Sequence, residues 1–166
     1  MNIKNLEFIL KDEPKFRLKQ AKQAVFVDLI DNWNQATNFP LPLREKLNQE
    51  CPLEIKADIF KSQDKNSAKA LIRLADGLKI ETVLLKHDGG RNTVCVSSQV
   101  GCALGCLFCA TGKMGFKRNL AAEEIVEQVL LWARRLKSQG KKATSIVFMG
   151  MGEPFLNYES VLAAIK

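Results

Sequence analysis

Between Thr93 and Lys166 the apolar pattern runs strand, loop, helix, strand, loop, helix, and that order leaves few architectures open. Thr93 to Ser98 is a β-rich run. Leu120 to Lys137 has the spacing of an amphipathic helix, with Asn119 as candidate cap, Glu123 and Glu124 in the first turn and Gly140 as stop. Ser145 to Met149 is a short apolar strand, and Tyr158 begins another helix that runs to Lys166. Strands joined through a helix run parallel, so this succession predicts a parallel sheet. Two parallel strands alone leave both edges open. A barrel of such units needs several more, so the chain is expected to be the amino-terminal part of a longer protein.

Upstream the pattern changes. Phe16, Ala21, Val25, Leu29, Ile30 and Trp33 recur at helical spacing, and Asp12-Glu13-Pro14 has the acidic groups and first-turn proline of a helix start. Phe39-Pro40-Leu41-Pro42 interrupts the pattern, a short helix is expected through Asn48, and Cys51-Pro52 closes the segment. Glu54 to Lys61 alternates, with Ile55, Ala57 and Ile59 on one side. Ala70 to Leu74 and Leu78 to Leu85 flank Asp76-Gly77, a strong hairpin signal. His87 to Asn92 reads as a loop. The expected fold class is α/β with an α+β amino-terminal part. Residues 1–60 are a helical accessory domain, 61–92 a β-hairpin extension and 93–166 the first βα units of a truncated domain.

The chemistry concentrates in Gly101-Cys102-Ala103-Leu104-Gly105-Cys106-Leu107-Phe108-Cys109, a C-x3-C-x2-C run just after the first parallel strand. Loops at the carboxyl ends of such strands are where α/β folds place active sites. A closed zinc site takes four ligands. A 4Fe–4S cluster held by three cysteines keeps one iron open for a reacting ligand. The alternatives are a zinc site completed by Cys95, or unrelated buried thiols; but Cys95 falls on the strand itself, and His87 is the single histidine. The two glycines are expected to let the backbone wrap tightly. After the second strand comes Gly150-Met151-Gly152-Glu153-Pro154, where Glu153 can accept hydrogen bonds or pair with an ammonium group.

Charge adds a partner class. The net charge is +7: residues 1–60 hold nine basic and nine acidic side chains, and residues 61–166 sixteen and nine. Arg91, Lys113, Lys117 and Arg118 flank the cysteines in sequence, and Arg134, Arg135, Lys137, Lys141 and Lys142 follow. A positive field near a reactive centre suits a polyanion such as RNA. No apolar run approaches a membrane span, and the first residues lack the shape of a signal peptide. Five cysteines without such a signal point to free thiols and metal in the cytoplasm.

The three cysteines, Phe108 before the third, and the Gly-Glu-Pro loop together resemble the radical S-adenosylmethionine enzymes. Three longer segments narrow the match: Thr93 to Cys102, Cys109 to Arg118 and Val147 to Asn157 are similar to the RlmN/Cfr adenosine methyltransferases. The resemblance is close over about residues 68–166 and looser over 1–60, through Phe16 to Gln20. It implies a partial (β/α)6 barrel like a TIM barrel. It implies that Cys102, Cys106 and Cys109 hold a 4Fe–4S cluster and that Gly152 and Glu153 bind the methionyl amine of S-adenosylmethionine. Glu81 matches the family's proton acceptor, needed because a ring carbon that gains a substituent must lose its proton. Cys95 matches a cysteine that forms a transient disulfide with a later one, resolving a protein–RNA intermediate. Cys51 has no counterpart and reads as structural.

The activity implied is methylation of carbon 2 of an adenosine in 23S rRNA and in some tRNAs. Carbon 8 methylation within the family is one alternative, and a non-catalytic zinc-dependent RNA-binding module is another. A reducing donor such as flavodoxin would supply the electron, and a monomer is the default. The late methyl-carrying cysteine and the remaining barrel strands are not in this sequence, so the chain alone is expected to be inactive.

Overall fold

The computed structural model describes residues 3–166; Met1 and Asn2, on which part of the signal-peptide reading rests, lie outside them. The first part is helical: α1 (Ile3–Ile9), α2 (Lys15–Phe26) and α3 (Leu41–Glu50), with a 3-10 turn at Trp33–Gln35. The α2 helix stops well short of Trp33. Leu29 has a φ of 53°, and the N–H of Ile30 closes back on the carbonyl of Ala24 at 3.1 Å, a left-handed helix ending. Leu29, Ile30 and Trp33 therefore do not continue the helical stripe. Phe16 also departs from it, being 54% exposed with Arg17 over its ring. Trp33 instead fills the centre, fully buried, with its indole N–H donating to the carbonyl of Cys51 at 2.8 Å and its ring stacked on Phe39. Cys51 is buried in the same core.

The second part is a mixed sheet of β1 (Ala57–Lys61), β2 (Ser67–Arg73), β3 (Lys79–Lys86), β4 (Asn92–Cys95) and β7 (Ser145–Val147), in the order β1-β2-β3-β4-β7. The Asp76-Gly77 hairpin forms as its sequence predicts. Gly77 takes a φ of 83°, Asp76 accepts the Leu78 N–H, and Ile72 lies opposite Ile80. The β4 and β7 strands pair in parallel, Cys95 beside Val147. The expectation of two open edges does not hold for β4. Its other side is paired antiparallel with β3, Val83 opposite Cys95, so the hairpin extends the parallel pair into one sheet.

The crossover helix α5 (Ala122–Lys137) lies on one face of this sheet and runs back along β4. Ile125, Trp132 and Leu136 pack with Ile72, Ile80, Leu84 and Val94. Leu130, also on α5, enters the core of the helical part, so one helix serves both cores. Asn119 is not the cap of α5. The helix starts later, and the Glu124 carboxylate accepts the Ala121 N–H at 2.9 Å. Asn119 instead ends strand β6 (Phe116–Asn119), which pairs with β5 (Gln99–Gly101) in a separate two-stranded ribbon. The short α4 (Ala110–Lys113) lies between them, and α6 (Tyr158–Ile165) ends the chain.

Candidate functional site

The run Thr93 to Ser98 does not remain a strand to its end. The N–H of the buried Val96 still bonds to the Val147 carbonyl at 2.9 Å, and the chain leaves the sheet after it, where the polar Ser97 and Gln99 find partners elsewhere. Ser97 is fully buried: its hydroxyl donates to the carbonyl of Glu81 (2.6 Å) and accepts the N–H of Met151 (2.8 Å). Its main chain is held on both sides by the Gln128 amide of α5, at 2.7 and 2.9 Å. Gln99, 1% exposed, accepts the Glu153 N–H at 3.0 Å and donates to Asn119 at 2.8 Å. The buried Asn157 amide donates to the carbonyls of Ser98 and Leu120, both at 2.8 Å. This buried segment joins the base of the cysteine loop to the Gly-Met-Gly-Glu-Pro loop, to β3 and to α5. It went unread in the sequence, although three polar residues inside an apolar run were the available signal.

The cysteine loop spans the β5–β6 ribbon. Gly101 has a φ of 77°, and a Cβ there would lie 1.8 Å from the Gly115 carbonyl oxygen, which accepts the Cys102 N–H. A Cβ on Gly112 would meet the Cys106 backbone at 2.9 Å. These glycines therefore let the loop close on itself. Gly150 and Gly152 behave likewise: Cβ atoms there would strike Ser97 and Gln99 at 2.7 and 2.5 Å. The space a side chain would take at these two glycines is filled by the protein's own chain.

Cys102, Cys106 and Cys109 are partly exposed on this loop, and none of the five cysteines is in a disulfide. The main-chain N–H groups of Gly112 and then Thr111 hold the Cys109 thiol below its ordinary range. Leu107 and Phe108 beside it are 91% and 92% exposed. Among the described residues no three Cys, His, Asp or Glu side chains converge closely enough to hold a single metal ion. In a 4Fe–4S cluster each thiolate takes a different iron, so three thiols need not converge on one ion. The donor set fits a cluster with one open iron. Cys51 is in the helical core, Cys95 is on β4, and His87 contacts Thr93 at the start of that strand.

Glu81 and Cys95 share one face of the sheet. Cys95 lies opposite Val83, two residues from Glu81 on β3, and this face is turned away from α5. The Glu81 carboxylate is half-exposed and pairs with Lys69 of β2 at 3.0 Å, while its N–H meets the Met151 sulfur at 3.4 Å. Burial pushes the Cys95 thiol up, opposed by a main-chain hydrogen bond from Met149. Glu153 caps the 3-10 turn Pro154–Asn157 through the Phe155 N–H at 3.1 Å. The structure thus places Gly152 and Glu153 beside the ribbon that carries the cysteines, through Gln99.

The basic residues sort differently from their order in sequence. Arg118 is committed: it forks onto Glu124 at 2.8 and 2.9 Å and also holds Asp76 at 2.7 Å, which raises its pKa further. It ties the hairpin turn to the start of α5. Arg134 donates to the carbonyl of Leu53, and burial lowers its pKa. Arg91 precedes β4, and Arg135 to Lys142 lie toward the end of α5 and in the loop after it, so these residues sit at the far end of the sheet from the cysteines. Lys113 and Lys117 are the cations of the cysteine end with no ion pair among the described residues.

Residues 96–166 match the model of the radical SAM superfamily. Over 154 residues the chain is 45% identical to "Probable dual-specificity RNA methyltransferase RlmN" of Dictyoglomus thermophilum, covering 93% of this chain and 44% of that protein. It is 40% identical over 161 residues to "Ribosomal RNA large subunit methyltransferase N" of Nitrosopumilus maritimus, covering 92% and 46%. A crystal structure of a radical SAM methyltransferase from Sphaerobacter thermophilus superposes with a TM-score of 0.89 at 43% identity, covering 96% of this chain and 48% of that one. The chain spans about half the length of the curated relatives it matches.

Proposed function

We propose that this chain belongs to the RlmN/Cfr family of radical S-adenosylmethionine proteins and is the cluster-bearing part of an RNA methyltransferase acting on carbon 2 of adenosine; the matches to the radical SAM model and to the RlmN relatives support this. The observation that carries this reading is a ribbon presenting three partly exposed thiols, hydrogen-bonded through Gln99 to the Gly-Glu-Pro loop. Cys102, Cys106 and Cys109 would hold a 4Fe–4S cluster, and Gly152 and Glu153 the methionyl end of S-adenosylmethionine. Bound there, the two groups would supply reductive cleavage of the sulfonium and, through it, hydrogen abstraction from a methylated cysteine in the remainder of a longer protein.

The chain's own residues do the rest. The Gly112 and Thr111 N–H groups beside Cys109 shift its thiol toward the thiolate, the form that ligates iron. Gln99 holds the Glu153 main chain in place beside the cysteine ribbon. Glu81, anchored through its main chain to Ser97 and Met151, stands ready to take the ring proton, with Lys69 holding its carboxylate in place. Cys95, on the same face, would exchange with a cysteine from the remainder of a longer protein. The substrates we assign are large-subunit ribosomal RNA and some tRNAs, with a flavodoxin-like donor supplying the electron. Among the described residues no helix is long and apolar enough to cross a membrane.

Anaerobic reconstitution with iron and sulfide tests the reading. About four irons per chain and a brown absorbing species are expected, with loss of both when Cys102, Cys106 or Cys109 becomes Ala. One colourless zinc per chain, or iron uptake indifferent to these substitutions, would refute it.

A further inference from the structure

The positive excess of this protein gathers at one place, and that place is the end of the sheet away from the cysteines. Three segments distant in sequence meet there. The Lys86 N–H donates to the carbonyl of Asn66 at 2.8 Å, and the Asn92 amide donates to the carbonyl of Lys142 at 3.0 Å. Residues 61–66, 86–91 and 135–142 together hold eight basic and two acidic side chains, a net +6 of the chain's +7.

Within this surface a cleft of about 300 Å³ opens between the sheet and α5, lined by Lys61, Lys65, Lys86 and Arg135, with Gln139 at its side and no carboxylate. None of the four cations has an ion pair among the described residues. They come from a strand, a turn, the end of another strand and a helix, so no single solvated face explains the grouping. Uncompensated like charges repel one another, and a polyanion relieves that repulsion while releasing its own counterions.

We propose that this end of the sheet is a docking surface for the phosphate backbone of RNA, with phosphates seated in the cleft of Lys61, Lys65, Lys86 and Arg135. The contact is indifferent to base identity and holds the RNA at a distance from the adenosine to be modified. It rests on the reading that RNA is the substrate, and it adds where the nucleic acid is gripped. At the cysteine end Arg118 is neutralised by Asp76 and Glu124, which leaves Lys113 and Lys117 as the cations without an ion pair there among the described residues.

The test is binding of this chain to a tRNA transcript, followed by fluorescence anisotropy across a range of salt. K61Q/K86Q is compared with wild type and with K113Q/K117Q, which removes equal charge from the cysteine end. The cleft pair should weaken binding about tenfold at moderate salt and flatten the slope of log K against log salt by about 2. The K113Q/K117Q pair should change affinity about threefold or less. Unaltered thermal midpoints confirm that each variant folds. Wild-type binding by the cleft pair, an equal loss in both pairs, no RNA binding by wild type, or competition by polyglutamate as strong as by RNA would each overturn the proposal. Iron uptake separates the two readings: the cleft pair should retain it, and its absence in wild type counts against the cluster, not against this surface.

Discussion

Ser97 and Ser98 are neighbours of equal burial whose replacement by alanine should have opposite effects. Ser97 is 0% and Ser98 2% exposed. The Ser97 hydroxyl serves two buried main-chain groups, donating to Glu81 at 2.6 Å and accepting from Met151 at 2.8 Å. The Ser98 hydroxyl oxygen is buried with no hydrogen-bond partner among the described residues. In S97A the Met151 N–H is left unpaired inside the protein, costing about 1–3 kcal/mol, and the bond to Glu81 is lost at about 1 kcal/mol more. We expect a destabilisation of about 2–4 kcal/mol, a large share of a typical domain's stability. In S98A an unpaired polar atom leaves the interior, so the change should be neutral or stabilising by up to about 1 kcal/mol. Urea unfolding followed by circular dichroism reads both, with the midpoint moving and the slope constant. If the two variants lie within about 0.5 kcal/mol of each other, the buried polar segment does not hold these loops together.

Other expectations follow from the same geometry. G101A places a methyl group on the Gly115 carbonyl and should abolish iron uptake while the main sheet survives, as seen by iron analysis beside far-ultraviolet circular dichroism. Iodoacetamide near neutral pH should label Cys109 faster than Cys95, because N–H groups lower the first thiol and burial raises the second; mass-mapped labelling in the reverse order would contradict those assignments. The Arg118 hydrogen bond depresses the Asp76 pKa, so its stabilisation is complete above about pH 4 and is lost as pH falls through the lowered value. Acid unfolding of D76N should therefore be less steep in that range than that of wild type.

Much of this was legible because local chemistry and tertiary structure agree. Asp76-Gly77 supplies both the turn residues and the positive φ that its hairpin needs, and the period of 120–137 matches a helix buried on one side. The C-x3-C-x2-C run and the Gly-Glu-Pro loop were found as motifs. Their connection was not, because it passes through Gln99 and Asn157, whose partners lie 54 and 59 residues away. Asn119 has the composition of a cap, but Gln99 draws it into a ribbon instead. Arg118 stands next to the cysteine motif in sequence, but ion pairs across the fold remove it from the free surface. Charge order along the chain placed the positive field at the cysteines, whereas strand and helix direction carry most of it to the opposite end.

The central claim is that three cysteines leave one iron free to take a ligand. Electron paramagnetic resonance of the reconstituted, reduced chain, recorded with and without S-adenosylmethionine, addresses it directly. The account predicts a 4Fe–4S signal whose g-values shift on addition of the cofactor, with the shift needing higher cofactor concentration in E153Q. A spectrum that the cofactor leaves unchanged would contradict it.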